Sequence, residues 1–513
     1  MDFEEYRPFC NTDKQVDVLR AYCETGGSGK AAAVLGIRDD SYVRRTIRQI
    51  RQRHADSVGP ESVPSKSVPV EKRKRYVVTA AQNVTRLHLP FYRALLNYCE
   101  EHDAQLIVIP LRYRNPTTPK ESPDDWYDER VAKHLVGERT ELVPGLMLMS
   151  DIKIQPTAVT PLTGLQTITG QKCGIFGHTR VAMESIPTPG TDIPKLLYTT
   201  GAVTRANYSD SKAGKKGEFH HVLGAVVVQQ DGDIFHLRHI SANSSGAFHD
   251  LDKRYTQHGV ENAKRPASFV MGDLHAMRHD PPCLSACHHI LDNLKPRRVI
   301  LHDVLDFHSA SHHNDYFERF QLRQKGRDNV MEELMMTCEI VDEIAGKAQA
   351  YVVSSNHDQH LYKWLERHDN GLDVQNALIY HKIKYNMLQE ISEGKPIPDP
   401  LELVARDHTK HKIRFLRGES FQVHGVEFTY HGDRGPNGAR GSIKSFDKIG
   451  PKSTIGHGHG PGINGGCHQV GTSSNLNLGY NHGAPSNWLH SHSLQYADGK
   501  RTHIHVINGR CGV

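Results

Sequence analysis

Short apolar runs that end in polar clusters are the main pattern of the second half of the chain. The run at residues 350–353, for example, is followed closely by Asn356, His357 and Asp358. Apolar runs of about 4–8 residues between polar segments predict strands that are buried on both faces. Helix-period segments such as CLSACHHILDNL and NVMEELMMTCEIVDEIA separate the earlier runs. The alternation predicts an α/β domain over residues 265–513.

The first 56 residues show a helical pattern instead. Thr12 and Gln15 form a capping-box pattern, and Val43, Ile47 and Ile50 predict the inward face of a third helix. The opposite face carries a run of basic residues, namely Arg44, Arg45, Arg48 and Arg51. The order of helix, turn, small-residue helix and basic helix resembles a helix-turn-helix DNA-binding module. A small all-α bundle with a solvated basic face is the alternative interpretation.

The middle of the chain predicts a linker and a further domain. Residues 57–74 are rich in Pro, Ser and Val, which is typical of a linker. Within residues 75–264, the runs RYVVTAAQ and AQLIVIPLRY predict strands on either side of a helix, and a hairpin is expected to turn at Asp231-Gly232. We expect a central α/β domain, and no catalytic constellation stands out in it.

Composition limits the class of protein. A chain of 513 residues exceeds a single hydrophobic core and predicts two to four domains. With 37% hydrophobic and 24% charged residues, no membrane-length apolar run and no signal peptide, the sequence predicts a cytoplasmic protein without a membrane partner. The nine cysteines lack paired spacing, which agrees with a reducing compartment. The 35 histidines stand out, because neutral imidazole is a common metal ligand.

Five predicted strands end in metal-binding residue types. The clusters are Asp273 with His275, Asp303 with Asp306, Asn356 with His357 and Asp358, His431 with Asp433, and His457 with His459. A single Asp-x-His pair is usually a strand cap or a surface feature. Since α/β sheets place their sites beyond the carboxyl ends of the strands, five such clusters predict a metal site at one sheet edge.

The order of these motifs resembles the calcineurin-like metallophosphoesterase superfamily, over roughly Pro266 to Val513. That family pattern is Asp-x-His, Gly-Asp-x-x-Asp, Gly-Asn-His-Asp/Glu, a single His and Gly-His-x-His. The resemblance implies a four-layer α/β/β/α sandwich that holds two divalent metal ions. It implies the following ligands: Asp273, His275 and His459 for the first ion, Asn356, His431 and His457 for the second, and Asp303 between them. It also implies that His357 protonates the leaving oxygen and that Asp358 orients His357.

Three departures from the family pattern matter. His302 and Ser355 replace glycines, so we expect crowded turns beside the ligands. Asp306 is followed by Phe307 and not by the arginine of the protein phosphatases. This difference weakens the hypothesis that the substrate is a phosphoprotein. The motifs look more like the branch of double-strand-break-repair nucleases. Together with the N-terminal module, they resemble the phage-encoded DNases of that branch, which act on host DNA in the host cytoplasm.

The ligand chemistry and the flanking charges complete the expectation. A set of oxygen and nitrogen ligands without thiolate is compatible with Mn, Fe or Zn. The resemblance favours Mn²⁺. The glycine-rich stretch after His431 carries Arg434, Arg440 and Lys444, which are candidates for contacts with flanking phosphates. A surface turn with scattered charge is the alternative. Outside the implied ligand set are His468, His482, His490 and His492.

The leading hypothesis is a metal-dependent DNA phosphodiesterase, a DNase whose macromolecular partner is DNA. The first alternative is a small-molecule or protein phosphoesterase of the same fold. The second is a DNA-binding regulator with a degenerate phosphoesterase domain, and the complete ligand set with His357 argues against it. The sequence leaves open a homo-oligomer and the choice between exonuclease and endonuclease action.

Overall fold

The computed structural model describes residues 3–57, 67–112, 126–189, 193–479 and 481–513. The chain divides into two compact units, Met1–Pro64 and Ser65–Val513. The division falls inside the segment 57–74 that the sequence predicts as a linker, although residues 58–66 lie outside the described residues. The backbone N–H of Val68 donates to the carbonyl of Leu135, so the end of that segment is part of the second unit.

The described part of the first unit is helical. The helices are α1 Phe3–Tyr6, α2 Asp13–Thr25, α3 Ser28–Val34 and α4 Ser41–Ser57. As predicted, the Thr12 side chain caps α2 by accepting a hydrogen bond from the Gln15 N–H at 3.3 Å. Val43, Ile47 and Ile50 are buried on the inner face of α4, as their helical spacing predicts. They pack against buried residues of α2 and α3, which gives this unit its own small core.

The second unit is mixed α/β. Up to residue 264 its elements are β1 Arg75–Gln82, α5 Leu89–Glu101, β2 Gln105–Leu111, α6 Glu129–Ala132, β3 Arg139–Val143, β4 Leu146–Met149, β5 Cys173–Phe176, β6 Ala182–Ile186, β7 Lys195–Thr199, α7 Lys212–His220, β8 Gly224–Asp231, β9 Ile234–Ser241, β10 Phe248–Asp250, β11 Lys253–Thr256 and β12 Gly259–Asn262. The predicted hairpin is the pair β8–β9, and its two turn residues are Gly232 and Asp233, one position beyond the predicted Asp231-Gly232.

Beyond residue 264 strands and helices continue to the end of the chain. The elements are β13 Ser268–Val270, α8 Pro281–Leu294, β14 Arg298–Leu301, α9 Tyr316–Gln324, α10 Val330–Ala345, β15 Gln349–Val353, α11 Asp358–Glu366, α12 Ala377–Ser392, α13 Pro400–His408, β16 Ile413–Leu416, β17 Gln422–Val423, β18 Val426–Glu427, α14 Ile443–Phe446, β19 Lys452–Ile455, β20 Gly462–Asn464, β21 Cys467–Gln469, β22 Ser491–Gln495 and β23 Arg501–His505.

Within the described residues these strands form four sheets. Their strand orders are β2-β1-β8-β9, β10-β11-β12, β16-β15-β14-β13-β22-β23 and β17-β18-β19-β21-β20-β6-β7-β5-β4-β3. One face of the six-stranded sheet packs against a helical layer that includes α8, α10 and α13. Its other face packs against the ten-stranded sheet through Val270, Ile300, Val353, Val426 and Phe428. The hydrophobic core of this half therefore lies on both faces of the six-stranded sheet.

The ten-stranded sheet combines strands from both sides of residue 264. Strand β6 pairs antiparallel with β20, and Ala182 lies opposite Asn464. Buried residues of β1, β2 and β8 share one core cluster with residues of β4 to β7. The predicted boundary between residues 264 and 265 is therefore wrong, because the sheet runs through it and residues 65–513 are one compact unit.

Strand direction fixes where the polar clusters lie. Strands β13, β14, β15 and β16 run parallel to one another, so their carboxyl ends meet at one edge of the six-stranded sheet. Strands β18 and β19 are likewise parallel to each other in the facing sheet. The predicted ligands follow β13, β14 and β15 in the six-stranded sheet and β18 and β19 in the facing sheet. Among the described residues, no helix combines the length and apolar character needed to cross a membrane.

Candidate metal centre

Two groups of predicted ligands converge at this edge. Asp273, His275, Asp303 and His459 each offer a ligand atom, and these atoms lie within 4.8 Å of one another. Asp303 also belongs to a second group with His431 and His457, which meets the same limit. Asp303 is therefore shared by the two groups, which is the position that the resemblance gave to a bridging ligand.

The distances between ligand atoms suit shared metal ions. His459 Nε2 lies 3.2 Å from both Asp273 Oδ2 and His275 Nε2, and His431 Nε2 lies 3.1 Å from Asp303 Oδ2. Ligand atoms about 2.1 Å from one ion lie roughly 3.0–3.4 Å apart at octahedral or tetrahedral angles. The amide ligand joins the second group, because Asn356 Oδ1 is 3.1 Å from His457 Nδ1.

Unsatisfied buried atoms support the assignment to metal. Both carboxylate oxygens of Asp273 and Nε2 of His431 are buried without a hydrogen-bond partner among the described residues. Their short contacts with neighbouring ligands thus lack hydrogen-bond geometry. Since unpaired buried polar groups are costly, atoms that face one another in this way are better explained by a shared cation.

The backbone at the ligands is strained. His275, Asp303, His457 and His459 have φ values of 46°, 43°, 67° and 51°, in the left-handed region that non-glycine residues rarely adopt. Such conformations cost about 1–3 kcal/mol each and concentrate at functional sites. The strain therefore distinguishes this edge from an ordinary set of strand caps.

Asp306 holds one ligand in the orientation that coordination requires. Its Oδ1 lies 3.0 Å from Nδ1 of His275, so Nδ1–H donates to the carboxylate and Nε2 is left to face the ligand group. Metal-binding histidines usually donate their second ring N–H in this way. Burial opposes the shift, but the hydrogen bond that His275 donates to Asp306 raises the pKa of His275 to about 9.

His302 makes an equivalent contact with the second group. Its Nδ1 lies 3.4 Å from Nδ1 of His431, and burial, followed by the charge of His431, lowers the pKa of His302 to about 4. A neutral His302 can accept from His431 Nδ1–H, which frees Nε2 of His431 for a metal ion. The sequence interpretation treated His302 only as crowding, whereas the fully buried ring serves as a positioning group.

His357 lies beside the ligands, and its partner differs from the predicted one. Nδ1 of His357 is 3.3 Å from the carbonyl oxygen of Asp306 and 3.5 Å from its Oδ1. Asp358 instead accepts a hydrogen bond from the Leu305 N–H at 3.0 Å, and burial raises its pKa to about 7. The expectation that Asp358 orients His357 is therefore wrong, because Asp358 points back into the turn after β14 and Asp306 takes its place. Ser355 accepts a hydrogen bond from the Asp358 N–H at the start of α11, after β15.

The carboxylate of Asp303, which the two groups share, is held ionised. Burial alone would raise the pKa of Asp303, but the neighbouring His431 and His357 keep it well below its ordinary value. The backbone N–H of His357 also lies 3.4 Å from Oδ1 of Asp303. A buried, charged carboxylate among imidazoles is suited to divalent cations, since metal ligands must be deprotonated.

The predicted phosphate contacts lie on an exposed loop after β18. A β-bridge joins Arg434 to Arg440, and Lys444 lies in α14. Arg434 donates to the side chain of Gln359 on α11 at 2.8 Å, so this arginine lies near the helix that follows His357. Arg440 and Lys444 are exposed, and the described contacts do not bring them to the ligand groups.

The basic face of α4 is only partly available. Arg44 forms an ion pair with Asp40 at 2.7 Å, and Arg45 lies over the ring of Tyr42. The side chains of Arg48 and Arg51 lie outside the described residues. Arg53, next along the helix, donates to the carbonyl of Phe9 and so points into the bundle.

A buried sulfur group lies apart from the predicted ligands. Cys283 and Cys287 on α8 meet His492 of β22, and this group has the donor atoms to hold a metal ion. However, Nδ1 of His492 accepts from the Gly272 N–H at 3.0 Å, so Nε2 carries the proton and faces the Cys287 sulfur at 3.3 Å. The contact is a hydrogen bond from imidazole to sulfur. The spacing of Cys283 and Cys287 is visible in the sequence, but the contact with His492 could not be predicted, because His492 lies over 200 residues from the cysteines.

Comparison with known proteins places the chain beside a phage protein. It is 32% identical over 464 residues to Protein A1 of Escherichia phage T5, which covers 86% of this chain and 83% of the phage protein. No family model and no solved structure matches the chain. The similarity spans most of both proteins and is too extensive for a shared local motif. The chain therefore belongs to the family of Protein A1 of Escherichia phage T5.

Proposed function

We propose that the protein is a metal-dependent DNA phosphodiesterase, a DNase with a calcineurin-like metallophosphoesterase sandwich. The observation that carries the proposal is the convergence of the two ligand groups on Asp303, with His357 beside them. Six predicted ligands meet within the two groups, and Asn356 contacts the second. We propose two divalent ions, with Mn²⁺ the favoured metal and Fe²⁺ or Zn²⁺ the alternatives, because the donors are oxygen and nitrogen.

The protein would bind the scissile phosphate at this edge. The chemistry supplied by two bound divalent ions is Lewis-acid polarisation of that phosphate and activation of the attacking water. Asp303 sets the spacing of the two ligand groups. Asp306 and His302 hold His275 and His431 with Nε2 free to coordinate. The ligand set is already assembled without substrate, which lowers the cost of reorganisation.

His357 would deliver the proton to the leaving oxygen. Its Nδ1 faces the carbonyl oxygen of Asp306, which can only accept, so Nδ1 keeps its hydrogen. Nε2 is then the nitrogen that donates and regains a proton. The side chain is 21% exposed, unlike the buried His275 and His431, so Nε2 can exchange that proton with solvent. These features suit a general acid better than a ligand.

DNA is the proposed substrate because cationic groups border the site. Arg434 reaches α11 next to His357, and the first unit has the helical order of a DNA-binding module. Phosphate contacts position a nucleic acid without reading its sequence. The relationship to a phage protein agrees with a proposed site of action in the host cytoplasm.

A small-molecule phosphoesterase of the same fold is the second candidate. It is favoured by the limited basic face of α4, where Arg44 is paired with Asp40 and Arg53 points inward. On that hypothesis the first unit would serve assembly.

The deciding experiment compares substrates and metals. The full chain is incubated with linear duplex, circular and single-stranded DNA, and with a chromogenic phosphodiester, in Mn²⁺ or in EDTA. We expect DNA hydrolysis that requires Mn²⁺. Hydrolysis of the small ester without hydrolysis of any DNA would support the second candidate, and inactivity towards all substrates in Mn²⁺, Fe²⁺ and Zn²⁺ would refute both.

A further inference from the structure

A cationic cavity lies next to His357. It has a volume of about 230 Å³ and is lined by the loop after β14, by α9 and by α11. His360 and Lys363, three residues apart, line it from one face of α11, and Arg367 lines it from the C-cap position of this helix. His312 and Arg319 line the facing side. The cavity is therefore a site built from three segments of the second unit.

The cavity is suited to an anion. Of the described residues that line it, Arg319, Lys363 and Arg367 are cations and Glu366 is the single carboxylate. Within the described part of the chain, none of the three cations is in an ion pair. The Arg319 guanidinium donates to the carbonyl of Asn314 at 3.2 Å, and three cations against one carboxylate leave an excess of positive charge for an anionic ligand.

A buried imidazole points to a ligand. His360 is 7% exposed, and its Nδ1 has no hydrogen-bond partner among the described residues. Ligand atoms of His312, His313 and His360 lie within 4.8 Å of one another, an arrangement that could also hold a metal. Burial and then the positive charges of His357, His312 and Lys363 lower the pKa of His360 to about 3. The excess charge of Arg319, Lys363 and Arg367 over Glu366 disfavours a metal cation and favours a phosphate.

The imidazole of His360 lines the cavity and lies beside His357, the proposed general acid. The ring centroids of His312 and His360 are 5.0 Å apart, those of His360 and His357 are 5.1 Å apart, and those of His357 and the ligand His275 are 4.7 Å apart. A phosphate held in the cavity would thus neighbour the phosphate at the metal centre.

Exposed aromatic side chains continue the surface along α9. Tyr316, Phe317 and Phe320 are 78%, 73% and 57% exposed, although large apolar side chains are normally buried. Tyr316 and Phe320 are four residues apart on one helix face, and Arg319 lies between them at the cavity. Aromatic faces beside a cationic groove are how proteins bind single-stranded nucleic acid without sequence preference.

We propose that the cavity and the aromatic face of α9 bind single-stranded DNA next to the catalytic edge. A backbone phosphate occupies the cavity between Arg319, Lys363 and Arg367, and unpaired bases stack on Tyr316 and Phe320. The site rests on the proposed function and extends it, because it implies that the strand is unpaired where it meets His357. A phosphopeptide would use the cavity but would leave the aromatic face empty.

The test measures binding of a labelled oligothymidylate to the full chain, in EDTA to prevent hydrolysis, at several salt concentrations. Each phosphate contact on single-stranded DNA contributes a salt slope of roughly 0.7. The double variant Lys363→Gln, Arg367→Gln weakens the contact with the one phosphate in the cavity, so it should bind more weakly and flatten the slope by about 0.7. Phe320→Ala should weaken binding by roughly 5–100-fold without changing the slope.

A matched control removes two charges elsewhere. Lys395 and Arg406 both pair with Glu390, so Lys395→Gln with Arg406→Gln should leave binding and slope unchanged. Wild-type binding and slope in the Lys363, Arg367 variant would overturn the site. The assignment to DNA would be overturned if a phosphoserine peptide competed as well as the oligonucleotide and if Phe320→Ala bound the oligonucleotide with wild-type affinity.

Failure of the site and failure of the proposed function give different results. If wild type hydrolyses DNA in Mn²⁺ but the variants bind normally, only the cavity assignment is wrong. If the variants lose binding as expected but wild type hydrolyses no DNA, the binding site stands and the nuclease proposal fails.

Discussion

The candidate metal centre and the basic face of α4 came from the same sequence, but the structure treats them differently. At the centre, residues from five separate strand ends meet within a few ångströms. On α4, Arg44 pairs with Asp40, one turn earlier on the same segment. The topology of the two sheets determines where the strand ends lie. An exposed arginine, in contrast, forms an ion pair with a nearby carboxylate. Ordered motifs on strands therefore predict a site better than a charged helix face does.

Loss of the shared carboxylate should have the largest effect. Asp303→Ala removes the residue common to both ligand groups, so hydrolysis should fall by roughly 10³–10⁴-fold or more, since metal-ion charge stabilisation contributes several kcal/mol. The measurement is the rate of DNA hydrolysis in Mn²⁺. Asp252→Ala, in an exposed turn between β10 and β11, is the matched control and should retain the wild-type rate. Near-normal turnover in Asp303→Ala would remove the centre as the source of activity.

Loss of the proposed acid should cost less and should spare the metals. His357→Ala should lower turnover by about 10²–10⁴-fold, which is the usual contribution of general acid catalysis. Metal content should stay at the wild-type value because the predicted ligands remain. His408→Ala, an exposed histidine at the end of α13, is the control and should behave as wild type. If His357→Ala loses metal along with activity, His357 is a ligand and not the acid.

The His302 contact distinguishes positioning from crowding. His302→Phe keeps a planar ring but removes the acceptor for His431 Nδ1–H, so metal affinity should fall about 10–100-fold. His302→Gln can still accept and should recover part of the loss. Isothermal titration with Mn²⁺ provides the measurement. Unchanged affinity in the Phe variant would mean that His302 only fills space.

The smallest expected effect belongs to α4. Arg45→Gln should flatten the salt slope of duplex DNA binding by about 0.9, the value for one phosphate contact. Arg44→Gln should change it less, because Arg44 is already paired with Asp40. Binding of a labelled duplex at several salt concentrations measures both. If neither variant changes the slope, these two arginines belong to the solvated surface, and the contrast with the metal centre becomes sharper.

Much of the architecture could be predicted where the signal is local. The inner face of α4, the β8–β9 hairpin and the ligands that follow β13, β14 and β15 come from short-range periodicity and strand polarity. The pairing of β6 with β20 could not be predicted, because it joins segments about 280 residues apart and neither segment carries a pairing signal. This is why a false boundary was predicted at residue 264.

The residues that orient the predicted ligands and His357 could not be predicted either. Asp306, and not the predicted Asp358, contacts His357 because of the direction of the turn after β14. In that turn the Leu305 N–H donates a hydrogen bond to Asp358. The role of His302 depends on a contact with a residue 129 positions away. Motif order specifies the residues that touch a metal, but it does not specify which neighbours orient them.

The most direct test of the account is the number of metal ions that Asp303 joins. Equilibrium dialysis against Mn²⁺, with electron paramagnetic resonance of the same samples, compares wild type with Asp303→Ala. The account predicts two Mn²⁺ ions per wild-type chain with a spin-coupled signal, and fewer ions without coupling in the variant. A single ion in wild type, or two coupled ions in Asp303→Ala, would contradict a dinuclear centre built on Asp303.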